Sequence, residues 1–176
     1  MTGAVVSSPM EPDDQLKMLE LAEKAGYDNL RDRRTTADVL AKEANAWLSL
    51  LILAAGGSFA YGVRILEPGA TSPVVIGAAV ASVWLVATSA LTVWKCMMIR
   101  PLPALYNEPA NIYQPDLPYT GRQMREFELK NIQQRIEDAT RRNDSVARWL
   151  NIVRWLTICV VPAFVTIAAG VACCRG

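Results

Sequence analysis

The hydrophobic positions along this chain fall into three long blocks joined by segments of periodic or broken pattern. Ala46 to Val63, Pro73 to Trp94 and Trp155 to Cys173 are apolar throughout and contain no Asp, Glu, Lys or Arg. A bilayer core roughly 30 Å thick takes about 20 helical residues to cross, and each block reaches that length. One such block could hide inside a globule, but three in so short a chain could not. The pattern predicts an all-α integral membrane protein with three transmembrane helices, at about 46–65, 73–95 and 152–174, with cytoplasmic amphipathic and coiled-coil-like helices before the first span and before the third.

The remaining pattern is helical. Residues 1–12 are expected to be disordered. Leu16, Leu19, Ala22 and Ala25 then form an apolar face at helical spacing, which is expected to stop at Gly26. A second helix through Leu30, Ala37, Leu40 and Ala44 is expected to enter the first span near Trp47, so that residues 13–45 form the first cytoplasmic helices. Glu67-Pro68-Gly69-Ala70 reads as the turn of a tight hairpin over 46–94. Residues 96–151 form the second cytoplasmic stretch. Its start is punctuated by Pro101, Pro103, Pro109, Pro115 and Pro118, with Tyr106, Tyr113 and Tyr119 between them. Two readings stand for it: an ordered, proline-stiffened strap, or a flexible solvated linker. Thr120 and Gln123 fit a capping box that opens a long helix. Along that helix Leu129, Ile132, Ile136, Ala139, Asn143, Val146, Leu150 and Val153 recur at steps of three and four, a heptad seam leading straight into the third span. The seam either joins copies into a homo-oligomer, with Asn143 fixing the register, or packs inside one subunit against the helix before span one.

Within the spans, Gly56, Gly57, Gly77 and Ala81 are small enough for close helix approach. Pro162 in span three predicts a kink whose freed carbonyl a neighbouring helix satisfies, or alternatively a gating hinge.

Charge then orients the chain. Every Lys and Arg except Arg64 and Arg175 lies before span one or between spans two and three. The positive-inside rule places those segments in the cytoplasm, with the N-terminus inside and the C-terminus outside. No cleaved leader is expected, because the first span can serve as the signal. Net charge is +1, and no nucleic-acid partner is expected.

The chemistry-bearing residues are sparse. There is no histidine, no phosphate-binding glycine loop, and no carboxylate or lysine at the centre of a span. Glu126, Glu128, Glu137 and Asp138 sit among arginines and read as a solvated face. Cys96, Cys159, Cys173 and Cys174 lack metal-site spacing and read as small apolar residues, with an intermolecular disulfide at Cys173 or Cys174 as the alternative. The chain is therefore expected to be no enzyme and to hold no metal or cofactor.

The layout resembles the Pycsar transmembrane effectors, a family of small bacterial antiphage proteins, over about residues 30 to 172. The resemblance rests on Ala37-Asp38-Val39-Leu40-Ala41-Lys42 at the entry of span one, Arg100-Pro101 after span two, Ile112-Tyr113 in the polar stretch, and Ile132 to Ile136 before the last span. Where that family tends to carry a lysine before the last span, this chain has Asn143-Asp144-Ser145, with Arg148 next. The resemblance implies an inner-membrane effector that damages the bilayer when an infection-induced cyclase raises a cyclic pyrimidine nucleotide. Arg122, Arg125 and the strap tyrosines are the candidates for nucleotide contact. Outside that resemblance, the same layout would suit a structural scaffold of a membrane complex or a prophage protein that excludes superinfecting genomes.

Overall fold

The computed structural model of the chain describes residues 12–66, 72–98, 102–108 and 118–174, and all regular structure among them is helical. Helix α1 runs Pro12–Gly62 and tightens into a 3₁₀ turn at Val63–Leu66. Helix α2 runs Pro73–Thr92 and continues through a π-helical turn, Val93–Met97. Helix α3 runs Gly121–Cys173. Each of the three is long and apolar enough to cross a membrane. The Glu67–Ala70 turn, Arg100-Pro101, Ile112-Tyr113 and the first eleven residues lie outside the described residues.

The helix starts follow from local chemistry. Ser72 caps α2, its hydroxyl accepting from the Val75 N–H at 3.3 Å, and Pro73 occupies the first turn, where its missing N–H costs nothing. Thr120 and Gln123 form the expected capping box: the Thr120 N–H donates to Gln123 Oε1 at 3.0 Å and the Gln123 N–H donates to Thr120 Oγ1 at 3.3 Å.

One expectation is corrected. The N-terminal helix does not stop at Gly26, because α1 passes through that residue unbroken. The glycine is there for packing rather than termination. A Cβ at position 26 would lie 2.7 Å from Ile132 Cγ2, so only glycine admits the approach of α3 at this level.

The chain divides into two compact units. The first comprises the chain up to Thr35 together with Leu102–Arg141. In it Leu30, Ile132 and Ala139 are fully buried, and each of the two larger side chains contributes about 1.5–3 kcal/mol by leaving water. The second comprises Thr36–Pro101 and the chain from Arg142 onward. All three helices contribute to its two apolar clusters. One joins Ala44, Cys96, Val146 and Leu150; the other joins Leu51, Ala55, Leu85 and Val153.

Candidate functional site

The most organised polar site in the first unit is built around Glu128, in the second turn of α3. Tyr27, on α1, donates its hydroxyl to Glu128 Oε1 at 3.4 Å. Asn107, from the proline-rich stretch, donates through Nδ2 to Glu128 Oε2 at 3.1 Å. Arg135 brings a guanidinium nitrogen to 3.6 Å of Oε1, and these two charged side chains are only 17% and 15% exposed. A carboxylate so shielded needs several partners, and here it has one from each of three segments. Burial pushes the Tyr27 phenol above its ordinary value, and the Glu128 carboxylate beside it pushes the same way. The hydroxyl is thus held protonated, as a donor, at neutral pH.

Two further contacts fasten the same stretch. Arg34 donates to the Pro103 carbonyl at 2.7 Å, and the Tyr27 and Tyr106 rings meet at 5.0 Å. Within the proline-rich segment, residues 102–108 are therefore tied to α1 and α3 at Pro103, Tyr106 and Asn107. Pro103 suits this role, since its rigid backbone offers a carbonyl while giving up no N–H. Glu128 itself departs from the solvated face expected of it. The available signal was its spacing: Glu128 and Arg135 are one heptad apart, flanking the apolar seam, and so lie on its inward side.

The residues singled out for nucleotide contact are already engaged elsewhere. Arg125 pairs with Glu20 at 3.2 Å and lies 3.9 Å from Glu23. Arg122 pairs with Glu126 at 3.0 Å. Tyr119 packs edge-on against Phe127, while Tyr106 belongs to the Glu128 cluster. Tyr113 lies outside the described residues.

Part of the heptad seam is covered within the single chain. Ile132 is 1% exposed, and Asn143 and Val146 are buried as well. A contact between copies through these three would first have to open this packing. Leu129 and Ile136 are only half-buried, and they line an open groove of about 620 Å³ together with Ala22, Ala25 and Gly26.

The small residues of the second unit divide in two. A Cβ on Gly77 would meet the Phe164 ring at 2.9 Å, and one on Gly62 would meet the Ala79 backbone at 3.0 Å. Both are close-packing positions, and Gly62 was missed because it lies at the very end of its apolar block. Ala81 is half-buried. Gly56 and Gly57 pack against no neighbour among the described residues, where nothing lies within 4 Å of a Cβ at either. The two kinds should respond oppositely to substitution. Gly77→Val is expected to cost about 1–3 kcal/mol through overpacking. Gly56→Ala should be neutral or stabilise by up to about 1 kcal/mol, because it removes backbone entropy into open space. Thermal unfolding of the two variants in detergent checks the difference in sign. Pro162 is accommodated within α3, which continues as helix on both sides of it.

Trp84 donates its indole N–H to the Leu156 carbonyl at 3.0 Å, a polar tie between α2 and α3. Among the described residues there is no group of three or more His, Cys, Asp or Glu placed to hold a metal ion. Comparison with known proteins gives no match: no family model fits the chain, and neither curated proteins nor solved structures yield a significant similarity.

Proposed function

We propose that this protein is an inner-membrane effector of bacterial antiphage defence, with its N-terminus inside, that acts on the bilayer by self-association rather than by catalysis. In this reading a cyclic pyrimidine nucleotide is the trigger, and the strap fastened at Glu128 is the element that responds to it.

One observation carries the proposal. The most apolar 18-residue window of α3 has 0% of its residues buried, against 39% for that of α2 and 17% for that of α1. None of those residues is fully buried: Leu156, Val160 and Phe164 are half-buried along one face, where Phe164 meets Gly77 of α2, while Ile158, Val161 and Val165 face outward. Lipid tolerates an exposed apolar helix, but not a free polar group. Pro162 lacks the N–H that the Ile158 carbonyl would otherwise receive, and an orphaned carbonyl in hydrocarbon costs several kcal/mol. The Thr166 hydroxyl donates to the Pro162 and Ala163 carbonyls, at 2.9 and 3.0 Å, so it serves the same turn from the other side. A span with an exposed proline turn is best satisfied by a neighbouring span, and a second copy supplies one.

The test is induced expression in bacteria loaded with a membrane-potential dye. The wild-type chain should depolarise the cells within the induction period, and a chain truncated before Trp155 should not. Unchanged potential and growth at full expression of the wild-type chain would overturn the effector reading and favour a scaffold.

A further inference from the structure

The second unit holds a set of aromatic and cationic side chains that the proposal above leaves without a task. The cluster of Ala44, Cys96, Val146 and Leu150 marks one level of the three helices. Within a turn of it along the sequence stand Trp47 on α1, Trp94 and Lys95 in the π-helical turn, and Trp149 and Arg154 on α3. At this level the apolar blocks begin or end. Indoles and long cationic side chains are the residue types that favour the boundary between hydrocarbon and headgroups.

Two of the cations near this level, the ones that meet indole rings, differ. Arg154 is neutralised by Glu43 at 2.9 Å and sits 6.0 Å from the Trp47 ring. Lys95 forms no ion pair among the described residues. Its ammonium lies 3.9 Å from the centroid of the Trp94 ring and 5.1 Å from that of Trp149. Two indole faces orient and partly desolvate the charge but do not cancel it. The π-helical turn explains how sequence neighbours share the contact: its Met98 N–H donates to the Val93 carbonyl at 3.0 Å, and the wider turn brings Lys95 back over Trp94. A half-buried ammonium with a fixed direction and no carboxylate is a site for an anion.

We propose that Lys95, held between Trp94 and Trp149, binds the phosphate of an anionic phospholipid headgroup. The inference rests on the membrane reading given above, and it adds the lipid class and the residue that selects it. A phosphodiester is the anion available in quantity where apolar helix meets water, and its oxygens accept from the ammonium while the acyl chains lie along the exposed spans. Zwitterionic lipid has the same phosphate, but its own choline competes for it, so selection favours phosphatidylglycerol over phosphatidylcholine.

The experiment uses the full chain purified in detergent, with phosphatidylglycerol and phosphatidylcholine added separately and bound lipid counted by native mass spectrometry. The wild-type chain should retain phosphatidylglycerol in preference. Lys95→Gln should weaken that retention by about fivefold, the effect of one basic side chain at an anionic surface, and Lys95→Arg should preserve it. Circular dichroism establishes that the variants keep the wild-type helicity. Equal retention by the wild type and Lys95→Gln overturns the site. Displacement of the lipid by millimolar inorganic phosphate alone overturns the lipid assignment in favour of a soluble anion. Alkaline extraction of wild-type membranes separates the two levels of the argument. Release of the chain by alkali defeats the membrane reading itself, whereas failure of the lysine variants defeats only the lipid site.

Discussion

Replacing Gly26 with valine is expected to separate the two helices of the first unit. The Cβ alone would stand 2.7 Å from Ile132 Cγ2 and 3.8 Å from its Cβ. Ile132 is β-branched and 1% exposed, so it has few rotamers in a helix and no room to swing aside. Relief therefore has to come from the backbones, and overpacking of this kind costs about 1–3 kcal/mol or more. The sign of the alanine variant is informative as well. In an open helix, glycine to alanine stabilises by up to about 1 kcal/mol, whereas at this position Gly26→Ala should destabilise. Hydrogen exchange over residues 121–141 is the measurement. Protection lost in Gly26→Val and weakened in Gly26→Ala is the expected result, and unchanged protection in both would mean that α1 and α3 do not meet here.

Replacing Glu128 with alanine should release the strap. The change removes the acceptor for Tyr27 and Asn107 together and leaves the Arg135 guanidinium shielded without its carboxylate. Breaking a shielded pair from one side costs about 3–5 kcal/mol when burial is complete, and the remaining exposure of these two side chains reduces that to about 2 kcal/mol. Tyr106 and Asn107 should become susceptible to limited proteolysis while α2 keeps its protection. Glu128→Gln should be milder, because the amide oxygen still accepts one of the two bonds. If the strap is the responsive element of the proposed effector, Glu128→Ala should depolarise cells at a lower expression level than the wild-type chain needs, and a variant that loosens the strap yet needs the wild-type level would detach the strap from the function.

How much of this was legible in the sequence depended on the range of the interaction. The apolar blocks, the Thr120–Gln123 cap and the unbroken run from the seam into the third apolar block are local patterns, and they appear where the spacing placed them. Gly26 was misread because glycine in a helical pattern has two physical meanings, a stop and a crossing, and only the position of Ile132 on a distant helix decides between them. Gly56 and Gly77 look alike in sequence, and Phe164, far along the chain, separates them. Glu128 was one acidic residue among four on a charged helix. Its seven-residue spacing from Arg135 beside the seam hints at the inward side, but its partners Tyr27 and Asn107 are both remote in sequence, and no local spacing announces either one.

The hydroxyls of α2 have a consequence for motion. Ser82, Thr88, Ser89 and Thr92 each donate to a carbonyl one turn back on the same helix, at 2.8–3.0 Å. Such bonds are carried along when a helix pivots, so they oppose no rotation. Among the described residues, the Trp84 indole is the polar tether from this helix to another. A swivel of α2 about its own axis therefore breaks a single hydrogen bond among the described residues, and the remaining resistance comes from packing: Leu85 in its apolar cluster, Gly62 against Ala79 and Gly77 against Phe164.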